Sequence, residues 1–307
     1  MGDGIQIAAP CKINLHLGVF DRRSDGFHDL ESLFQLLSFG DTLWISSLKK
    51  SSDFELLMNN DSVPAEQNII TKAVRLFQKK RNCEAGWSIR VKKRIPLGAG
   101  LGGGSSNAAS VLFAMNQLTG SRLSEDELFD LGAALGSDVP FFIKCLYVQA
   151  GTAYVTGRGE RIEPMMVDLP WSVVLVNPGI HSSTAESYAL IDSSRVGSAC
   201  TPRKVIGKAM LRSMLVGDPK TWGFYNDFLT VFLQKGSELV RSTYTAVLED
   251  LVREEADFTG LSGSGSTCFG IFSDKKKAEK AVQALKERWS FAEIAFPLAS
   301  YGRTVVQ

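Results

Sequence analysis

The residues best suited to chemistry form a glycine-rich stretch, PLGAGLGGGSSNAAS, over residues 96–110. Five glycines lie between Gly98 and Gly104, and the small residues from Ser105 onward suit a helix. Backbone N–H groups in such a run can converge on an anion, and the positive end of a helix dipole strengthens the attraction. The stretch therefore predicts a phosphate-binding loop, with hydroxyl donors available from Ser105 and Ser106.

Three known phosphate-binding patterns resemble this composition. A P-loop ends in Gly-Lys-Ser/Thr, whereas Gly104 is followed by two serines. The dinucleotide pattern G-x-G-x-x-G is met over residues 98–103, but about 20 residues later Glu125 and Asp126 lie in the first turn of a predicted helix, not at the end of a strand. A protein-kinase loop joins two strands and is followed by H-R-D and D-F-G, which this chain lacks. A mobile hinge is the structural alternative, although a periodic strand and a helix flank the loop closely.

Two further segments have strand patterns. Residues 12–20, KINLHLGVF, alternate polar with apolar side chains, so Lys12, Asn14 and His16 are predicted to share the polar face of a half-buried strand. Residues 87–95, WSIRVKKRI, also alternate and lead directly into the glycines. A lysine on a strand is ordinarily solvated, but the face shared with Asn14, followed at once by the loop at residues 22–29, favours the wall of an active site.

The other periodicities predict an α+β chain of two domains, residues 1–160 and 161–307, divided at the glycine-rich turn TGRGE. Asn68 is predicted to cap one helix, and Ser124 with Glu127 forms a capping-box sequence before another. LESLFQLLSF and DTLWISSL are predicted as separate strands, and the chain ends as strand, helix and strand.

Composition restricts the partners and the compartment. The net charge of +1, from 34 basic and 33 acidic residues, gives no general attraction to nucleic acid or anionic lipid. The short basic clusters at residues 92–94 and 275–277 are predicted to be solvated faces. Neither a targeting pattern nor an apolar run near the ~18 residues of a membrane span is present. Five scattered cysteines without a C-x-x-C pair argue against a disulfide framework or structural zinc, so we expect a cytoplasmic location.

Three motifs in order resemble those of the GHMP small-molecule kinases. They are APCKINLHL near the start, PLGAGLGGGSSNAA in the middle and LSGSGSTCFGIF late in the chain. The resemblance covers essentially the whole chain. It implies an α+β GHMP kinase fold, with an ATP-binding N-terminal domain of the ribosomal-protein-S5-domain-2-like type and a substrate-binding C-terminal domain of the ferredoxin-like α/β type.

Three further segments narrow the resemblance within this family. The form GLGGGSS, the segment RRSDGFHDLESLFQLLSFGDTL and the segment GSDVPFF are similar to the members that phosphorylate the 2-hydroxyl of 4-diphosphocytidyl-2-C-methyl-D-erythritol in the non-mevalonate isoprenoid pathway. This resemblance implies ATP and Mg²⁺ as cofactors and that cytidylylated alcohol as the small-molecule substrate. We expect no nucleic-acid or membrane partner, and a monomer or weak homodimer.

The resemblance also implies roles for individual residues. Asp138 matches the catalytic aspartate, a general base, and Lys12 would keep its carboxylate ionised and offset phosphate charge. The substrate-binding positions match Asn14, Phe27, His28, Thr184 and Tyr188, with Phe27 stacked on the cytosine and His28 hydrogen-bonded to it. The ATP-binding positions match Pro96, Leu97, Gly98, Ala99, Gly100, Leu101, Gly102, Gly103, Gly104, Ser105 and Ser106, together with Asn68 and Lys93. The third motif, with Ser262, Gly263, Ser264, Gly265 and Ser266, would close over the phosphates; no Mg²⁺ ligand is assigned, with Ser106 the one candidate.

Most of these positions have a plain structural alternative. Asp138 precedes Val139 and Pro140 and suits a helix cap. Phe27 suits a core, His28 a surface turn, and Lys93 a solvated strand end.

Three other functions also stay open. Another GHMP kinase, of the homoserine or mevalonate type, would keep the fold and change the alcohol. A non-catalytic RNA-binding module would share the fold of the N-terminal domain, although the near-zero net charge argues against it. A dehydrogenase would bind NAD(H) in preference to ATP.

Overall fold

The structure is a computed structural model that describes residues 4–48, 53–59, 63–82, 85–120, 123–195 and 204–301. Its first part is a six-stranded sheet with helices packed on one face. The strands are β1 Gly4–Arg22, β2 His28–Leu48, β3 Phe54–Met58, β4 Gly86–Lys92, β5 Thr152–Gly157 and β6 Arg161–Met165. The helices are α1 Ile69–Arg81, α2 Gly103–Leu118, α3 Glu125–Leu135 and α4 Val139–Val148.

The second part is a four-stranded antiparallel sheet covered by helices. The strands are β7 Ser172–Asn177, β8 Phe258–Leu261, β9 Cys268–Phe272 and β10 Phe291–Ala295, in the order β10-β7-β9-β8. The helices are α5 Thr184–Arg195, α6 Lys208–Leu215, α7 Asp227–Lys235, α8 Glu238–Arg253 and α9 Lys275–Arg288. The predicted α+β class is therefore confirmed. The division at residues 160 and 161 stays a prediction; the first sheet takes in β6, and the second begins with β7.

Strand β2 is the axis of the first sheet. One of its edges pairs with β1, while the other pairs with β5 through residues 30–35 and with β4 through residues 42–48. The prediction of two separate strands here is wrong, because Gly40 is not in a turn. A Cβ at Gly40 would lie 2.6 Å from the Cα of Pro10. Glycine is therefore needed at this position, where the backbones of the paired strands β1 and β2 approach closely.

Strand β1 changes face twice along its length. The pairing register shifts between Pro10 and Lys12 and again between Asn14 and His16. Odd-numbered side chains consequently move from one apolar cluster to a second and back: Ile5, Ile7 and Ala9, then Cys11, Ile13 and Leu15, then Leu17 and Val19.

These shifts correct the predicted pattern of polar residues on β1. Lys12 and Asn14 share a face, but His16 lies edge-on to Tyr225 and against Phe224, in the second cluster. The strand is also not half-buried, since Lys12, Asn14 and His16 are each at most 3% exposed.

The second apolar cluster lies between the two sheets. It takes Cys11, Ile13, Leu15, Leu33 and Leu37 from the first sheet and Val173, Leu175, Phe269 and Ile271 from the second. On the outer side of each sheet, α2 packs on β1 and β2, and α8 and α9 pack on the smaller sheet. The layers therefore run helices, sheet, sheet, helices, with an apolar core that joins the two parts of the chain.

The two helix caps predicted from the sequence form as expected. The Asn68 side chain accepts a hydrogen bond from the N–H of Ile70 at 2.9 Å, and Ser124 with Glu127 forms both bonds of a capping box, so both predicted caps are confirmed.

None of the helices in the described ranges is long and apolar enough to cross a membrane.

Three cysteines lie in described ranges and are free and buried: Cys11, Cys145 and Cys268. Burial raises the pKa of all three thiols, so they remain protonated and unreactive. Cys83 and Cys200 lie outside the described residues.

After β10 the chain runs back along the first sheet, which the sequence pattern does not indicate. The N–H of Ser38 donates to the carbonyl of Phe296 at 2.8 Å, and the N–H of Leu298 donates to the carbonyl of Leu36 at 2.9 Å. Within this segment Tyr301 is 1% exposed, and its hydroxyl is 2.8 Å from the hydroxyl of Ser110 on α2. Burial raises the pKa of this phenol, so it stays neutral.

We expect Tyr301→Phe to lower the free energy of unfolding by about 1–3 kcal/mol, because the Ser110 hydroxyl loses its partner in a dry environment. Urea denaturation of Tyr301→Phe, Ser110→Ala and the double variant measures this. The double variant should be less destabilised than the sum of the single variants, since it leaves neither group without a partner. Strict additivity would show that the two hydroxyls do not interact.

Candidate active site

The glycine loop is a fixed turn anchored by its apolar residues. Ile95, Ala99 and Leu101 are at most 3% exposed and belong to the cluster between the sheets. The alternating glycines Gly98, Gly100 and Gly102 have φ values of +62°, +75° and +68°, a region that glycine occupies without strain. The hinge alternative is therefore wrong.

Helix α2 begins directly after the loop and presents its N-terminus to it. Gly102 is the N-cap residue, and the Ser106 N–H is the donor that bonds back to the Gly102 carbonyl. The first N–H groups of a helix have no partner within the helix, so those of Gly103, Gly104 and Ser105 form a donor set suited to an anion. Ser105 is half-buried, whereas Ser106 is completely buried and remote from solvent.

The loop touches the third glycine-rich motif, backbone to backbone. A Cβ at Gly100 would overlap the carbonyl oxygen of Ser262 and would lie 2.8 Å from that of Gly265. The Ser262 hydroxyl donates to the Gly100 carbonyl at 2.9 Å, and the Thr267 N–H donates to the Ala99 carbonyl at 3.1 Å. The second and third motifs therefore form one surface.

Two buried asparagines brace the turn at residues 261–267. The Asn226 amide donates to the carbonyls of Leu261 and Gly263 at 2.8 and 2.9 Å, and the Asn177 amide donates to the Thr267 hydroxyl at 3.0 Å. The side chain of Thr184, the first residue of α5, lies 3.0 Å from the Ser264 hydroxyl. The turn is thus fixed from both of its ends.

Lys12 and Asp138 meet beside this surface. The Lys12 Nζ atom lies 3.3 Å from Asp138 Oδ2 and donates to Asn14 Oδ1 at 2.7 Å. It also lies 4.7 Å from the centre of the Phe34 ring, a cation–π distance. The Lys12 side chain is only 4% exposed, so the solvated alternative is wrong; the ion pair and hydrogen bond offset the cost of its burial.

Asp138 occupies the N-cap position of α4, but its side chain makes no capping hydrogen bond. Its carboxylate is 29% exposed and faces the cleft instead. Asp138 therefore lies at the position of a helix cap, as the structural alternative predicts, but its side chain does not cap the helix. A partly exposed carboxylate beside a buried ammonium group can accept a proton from a bound ligand.

These groups line one cleft, of about 190 Å³. Its walls carry Lys12, Asn14, Phe34, Gly100, Gly102, Asp138, Arg158, Thr184, Tyr188, Gly263 and Ser264. The volume is below the roughly 300–1,000 Å³ of pockets that enclose a drug-sized ligand, so it suits the reacting parts of larger ligands.

The predicted substrate residues fall into two groups. Thr184 and Tyr188 lie one turn apart on α5 and both line the cleft. The His28 ring stacks on Tyr188 at 5.0 Å, and its Nε2 atom is 2.7 Å from a carboxylate oxygen of Asp192. His28 is buried at the start of β2, so the surface-turn alternative is wrong. Burial, with the Asp138 charge nearby, raises the pKa of Tyr188 to about 12.

Phe27 stands apart from this stack and is not among the residues that line the cleft. Its side chain is 55% exposed, so the core alternative is wrong. The Arg158 guanidinium lies over its ring, 4.8 Å from the ring centre.

Asn68 and Lys93 are engaged in the protein interior. Besides capping α1, the Asn68 amide donates to the sulfur of Met58 at 3.2 Å. Lys93 forms a close ion pair with Asp41 and donates to Asn107 Oδ1 at 3.0 Å. Its side chain is 6% exposed, so the solvated interpretation of residues 92–94 is wrong for Lys93, whereas residues 275–277 are exposed as predicted.

Asp41 is the residue that sequence reasoning missed. Its Oδ1 accepts from the N–H groups of Arg94 and Ile95 at 2.7 and 2.9 Å, and its Oδ2 accepts from the amide of Asn107 on α2 at 2.9 Å. This carboxylate therefore joins β2, the start of the loop and α2. An acid within a strand, directly after Gly40, was the available signal.

Mg²⁺ is the metal ion that the sequence resemblance implies. The described part of the chain contains no group of three or more His, Cys, Asp and Glu residues suited to a metal ion. Mg²⁺ commonly binds through one or two carboxylates together with substrate phosphates and water, and the partly exposed Asp138 suits that arrangement. Ser106 is fully buried and does not line the cleft, and its role as a Mg²⁺ ligand stays a prediction.

We expect Gly100→Ala to abolish binding of an ATP analogue and to cost about 3 kcal/mol or more of stability, because its methyl group would overlap Ser262. Gly98→Ala is the matched control. Gly98 has a similar φ, but a Cβ there meets nothing within 4 Å, so only the backbone cost of about 1 kcal/mol applies. Calorimetric titration and urea denaturation measure both variants; equal losses would contradict the close approach.

We expect Asp41→Asn to cost about 3–5 kcal/mol, because it leaves the buried Lys93 ammonium without a counter-charge. The double variant Asp41→Asn/Lys93→Met should recover part of this loss. Urea denaturation is the measurement, with the exposed Asp130→Asn as control. A loss as small as that of the control would show that Asp41 does not hold the loop.

Comparison with known proteins gives a consistent assignment. Residues 68–145 match the family profile of the GHMP kinases N terminal domain, and residues 210–290 match that of the GHMP kinases C terminal. The homoserine kinase from Cytophaga hutchinsonii has a similar structure, with a TM-score of 0.65 over the whole of this chain and 98% of that one. At 18% identity this similarity concerns the fold alone.

More similar proteins share one name. The chain is 37% identical over 278 residues to the 4-diphosphocytidyl-2-C-methyl-D-erythritol kinase of Haemophilus ducreyi, covering 90% of this chain and 88% of that protein. It is 34% identical over 292 residues to the enzyme of the same name from Treponema pallidum, covering 93% and 96%. A crystal structure of 4-(cytidine 5'-diphospho)-2C-methyl-D-erythritol kinase has a TM-score of 0.76 at 29% identity, covering 94% of this chain and 98% of that one. The chain therefore belongs to the GHMP kinases and, within them, to the 4-diphosphocytidyl-2-C-methyl-D-erythritol kinase family.

Proposed function

We propose that this enzyme transfers the γ-phosphoryl group of ATP to the 2-hydroxyl of 4-diphosphocytidyl-2-C-methyl-D-erythritol. One observation carries the proposal: the Lys12–Asp138 ion pair lies in the same cleft as the glycine loop and the third-motif turn. A base, a cation and a phosphate cradle are the parts that phosphoryl transfer to an alcohol requires.

On the ATP side, the glycine loop and the first turn of α2 cradle the phosphates. Their N–H groups and the helix dipole supply positive charge without a side chain. Asn68 and Lys93 were expected to contact the nucleotide; we propose that they shape its pocket indirectly, because their polar atoms bind Ile70, Met58, Asp41 and Asn107. Mg²⁺ would be held by phosphate oxygens and Asp138, and it would supply charge neutralisation at the transferred group.

Asp138 removes the proton of the attacking 2-hydroxyl. A tertiary alcohol is a poor nucleophile, so a carboxylate at hydrogen-bond distance and an aligned phosphoryl group supply most of the rate. Lys12 Nζ lies 3.3 Å from that carboxylate and stabilises the charge that develops on the phosphoryl oxygens. Asn14 fixes the Lys12 ammonium and is itself held by the Ser32 hydroxyl at 2.9 Å.

On the substrate side, Phe27 stacks on the cytosine, and His28 forms a hydrogen bond to the base. If the Nε2 atom of His28 carries the proton toward Asp192, its Nδ1 atom is an acceptor that suits the cytosine amino group. Thr184 and Tyr188 contact the nucleoside from α5, and the raised pKa of Tyr188 keeps its hydroxyl a donor. The cytoplasmic location and the monomer or weak homodimer stay predictions.

Measuring ATP consumption with the cytidylylated alcohol, homoserine and mevalonate in parallel tests the substrate, with phosphorus NMR of the product to locate the new phosphate. Selective turnover of the first compound is expected. Turnover of either other alcohol would favour another GHMP specificity. Preference for NAD(H) over ATP, or tight RNA binding that ATP does not weaken, would support the remaining alternatives.

We expect Asp138→Asn to lower kcat by about 10³-fold while KM for the alcohol changes little, because the amide keeps the shape but accepts no proton. Asp130→Asn on the exposed face of α3 is the control and should retain full activity. Steady-state kinetics at saturating ATP measure both. A kcat near the unmodified value would make Asp138 a structural residue.

A further inference from the structure

One cation in the cleft has no role in the mechanism above. Arg158 lies in the turn between β5 and β6, and it lines the cleft together with Asp138 and Tyr188. We propose that Arg158 binds the diphosphate of the cytidine-diphosphate substrate and, with Phe27, forms a recognition unit for a nucleoside diphosphate. The inference rests on the proposed function and adds a specificity-determining residue to it.

The turn that carries Arg158 is well defined. Gly157 and Gly159 have φ values of +68° and +117°, and the Arg158 N–H donates to a carboxylate oxygen of Glu160 at 2.6 Å. Gly159 lies against Ser137, since a Cβ at Gly159 would be 3.5 Å from that of Ser137. The turn is therefore packed beside Asp138, the next residue along the chain.

The side chain of Arg158 extends from this turn to Phe27. Its guanidinium lies 4.8 Å from the ring centre, and the ring is 55% exposed. The Phe27 N–H is held by Asp25 Oδ1 at 3.1 Å, and the Phe27 carbonyl accepts from the N–H of Arg23 at 2.7 Å. These bonds fix the backbone of Phe27, and the guanidinium packs over its ring.

Other cations nearby are already engaged. Arg23 pairs with Asp25 and Asp29 at 3.0 and 2.9 Å, and Arg195 donates to the carbonyls of Phe20 and Val19. Lys12 is paired with Asp138.

Arg158 differs from these cations. Within the described ranges, no carboxylate oxygen lies within 4 Å of a guanidinium nitrogen of Arg158. The Asp25 carboxylate feels the charge of Arg158 but forms its ion pair with Arg23, so the Arg158 guanidinium can bind a ligand in the cleft.

The order of groups along the cleft matches the order of groups in the substrate. In the proposed function Phe27 binds the cytosine and Asp138 faces the reacting alcohol. Arg158 contacts the Phe27 ring, and its turn packs beside Asp138. The diphosphate lies between cytidine and methylerythritol in the substrate. A guanidinium can bind two phosphate oxygens at once, which suits a diphosphate better than a point charge does.

Arg158→Met tests this role, because it keeps much of the side-chain volume and removes the charge. We expect KM for the cytidylylated alcohol to rise about 10- to 100-fold, with KM for ATP unchanged and kcat within about threefold. Arg161→Met is the matched control, since Arg161 is an exposed arginine of the same hairpin that does not line the cleft. Arg158→Lys should recover part of the loss.

Calorimetric titration with CDP and with cytidine separates diphosphate binding from stacking. Arg158→Met should lower the affinity for CDP about 10-fold or more and leave that for cytidine unchanged. An equal loss for both ligands would overturn the inference and make Arg158 a support for Phe27. A rise in KM for ATP alone would assign Arg158 to the other nucleotide and overturn it as well.

The two proposals fail separately. If the unmodified enzyme binds CDP through Arg158 but does not phosphorylate the cytidylylated alcohol, the proposed function is wrong and the diphosphate site stands. If the enzyme phosphorylates that alcohol and Arg158→Met behaves like Arg161→Met, the proposed function stands and the diphosphate site is wrong.

Discussion

The contact between the backbone of Gly100 and the turn at residues 262–265 is the constraint on which the site depends. Only a residue without a side chain allows this approach, and the approach brings a loop of the first sheet against a turn of the second. Ile95, Ala99 and Leu101 hold the loop from below, because they are buried between the two sheets. The phosphate cradle and the inter-sheet core are therefore one structure, and neither part of the chain forms the cleft alone.

Buried carboxylates hold the other segments in place. Asp41 binds the start of the loop to β2 and α2, and Glu31 accepts from the N–H groups of Ile206 and Gly207 at 2.8 Å each, where α6 begins. Both are at most 1% exposed and bonded on both oxygens. Asp138 also has a cationic partner, but it is 29% exposed and open to the cleft. Exposure thus distinguishes the acid that can do chemistry from the acids that position the chain.

The sequence predicts the parts of this structure that are encoded locally. Glycine spacing, the caps at Asn68 and Ser124, and the one-turn spacing of Thr184 and Tyr188 each reflect short-range chemistry, and each is realised. The roles of Lys12 and Asp138 came from the motif resemblance and stay proposals, although the structure brings the two side chains together.

Features that depend on contacts distant in the chain were not predictable in this way. The face changes of β1 arise from its pairing with β2, and the fit of Gly40 arises from its contact with Pro10. Periodicity placed His16 beside Asn14, yet one extra residue in the register turns it to the other side of the sheet. The sequence indicated only that Arg158 lies in a turn. Its position relative to Phe27 depends on a contact between two segments that are distant in the chain.

The irregular register of β1 is what allows a lysine to work inside this core. A regular strand would direct the side chain at position 12 and the one at position 16 to the same face, whereas the shifts direct Lys12 to the cleft and His16 to the inter-sheet core. The Lys12 ammonium group, buried from water, contacts three protein partners: Asp138, Asn14 and the face of the Phe34 ring. In that drier environment its charge acts more strongly on a transferred phosphoryl group than a solvated lysine would. The irregular part of β1 and the residues proposed for the chemistry therefore coincide.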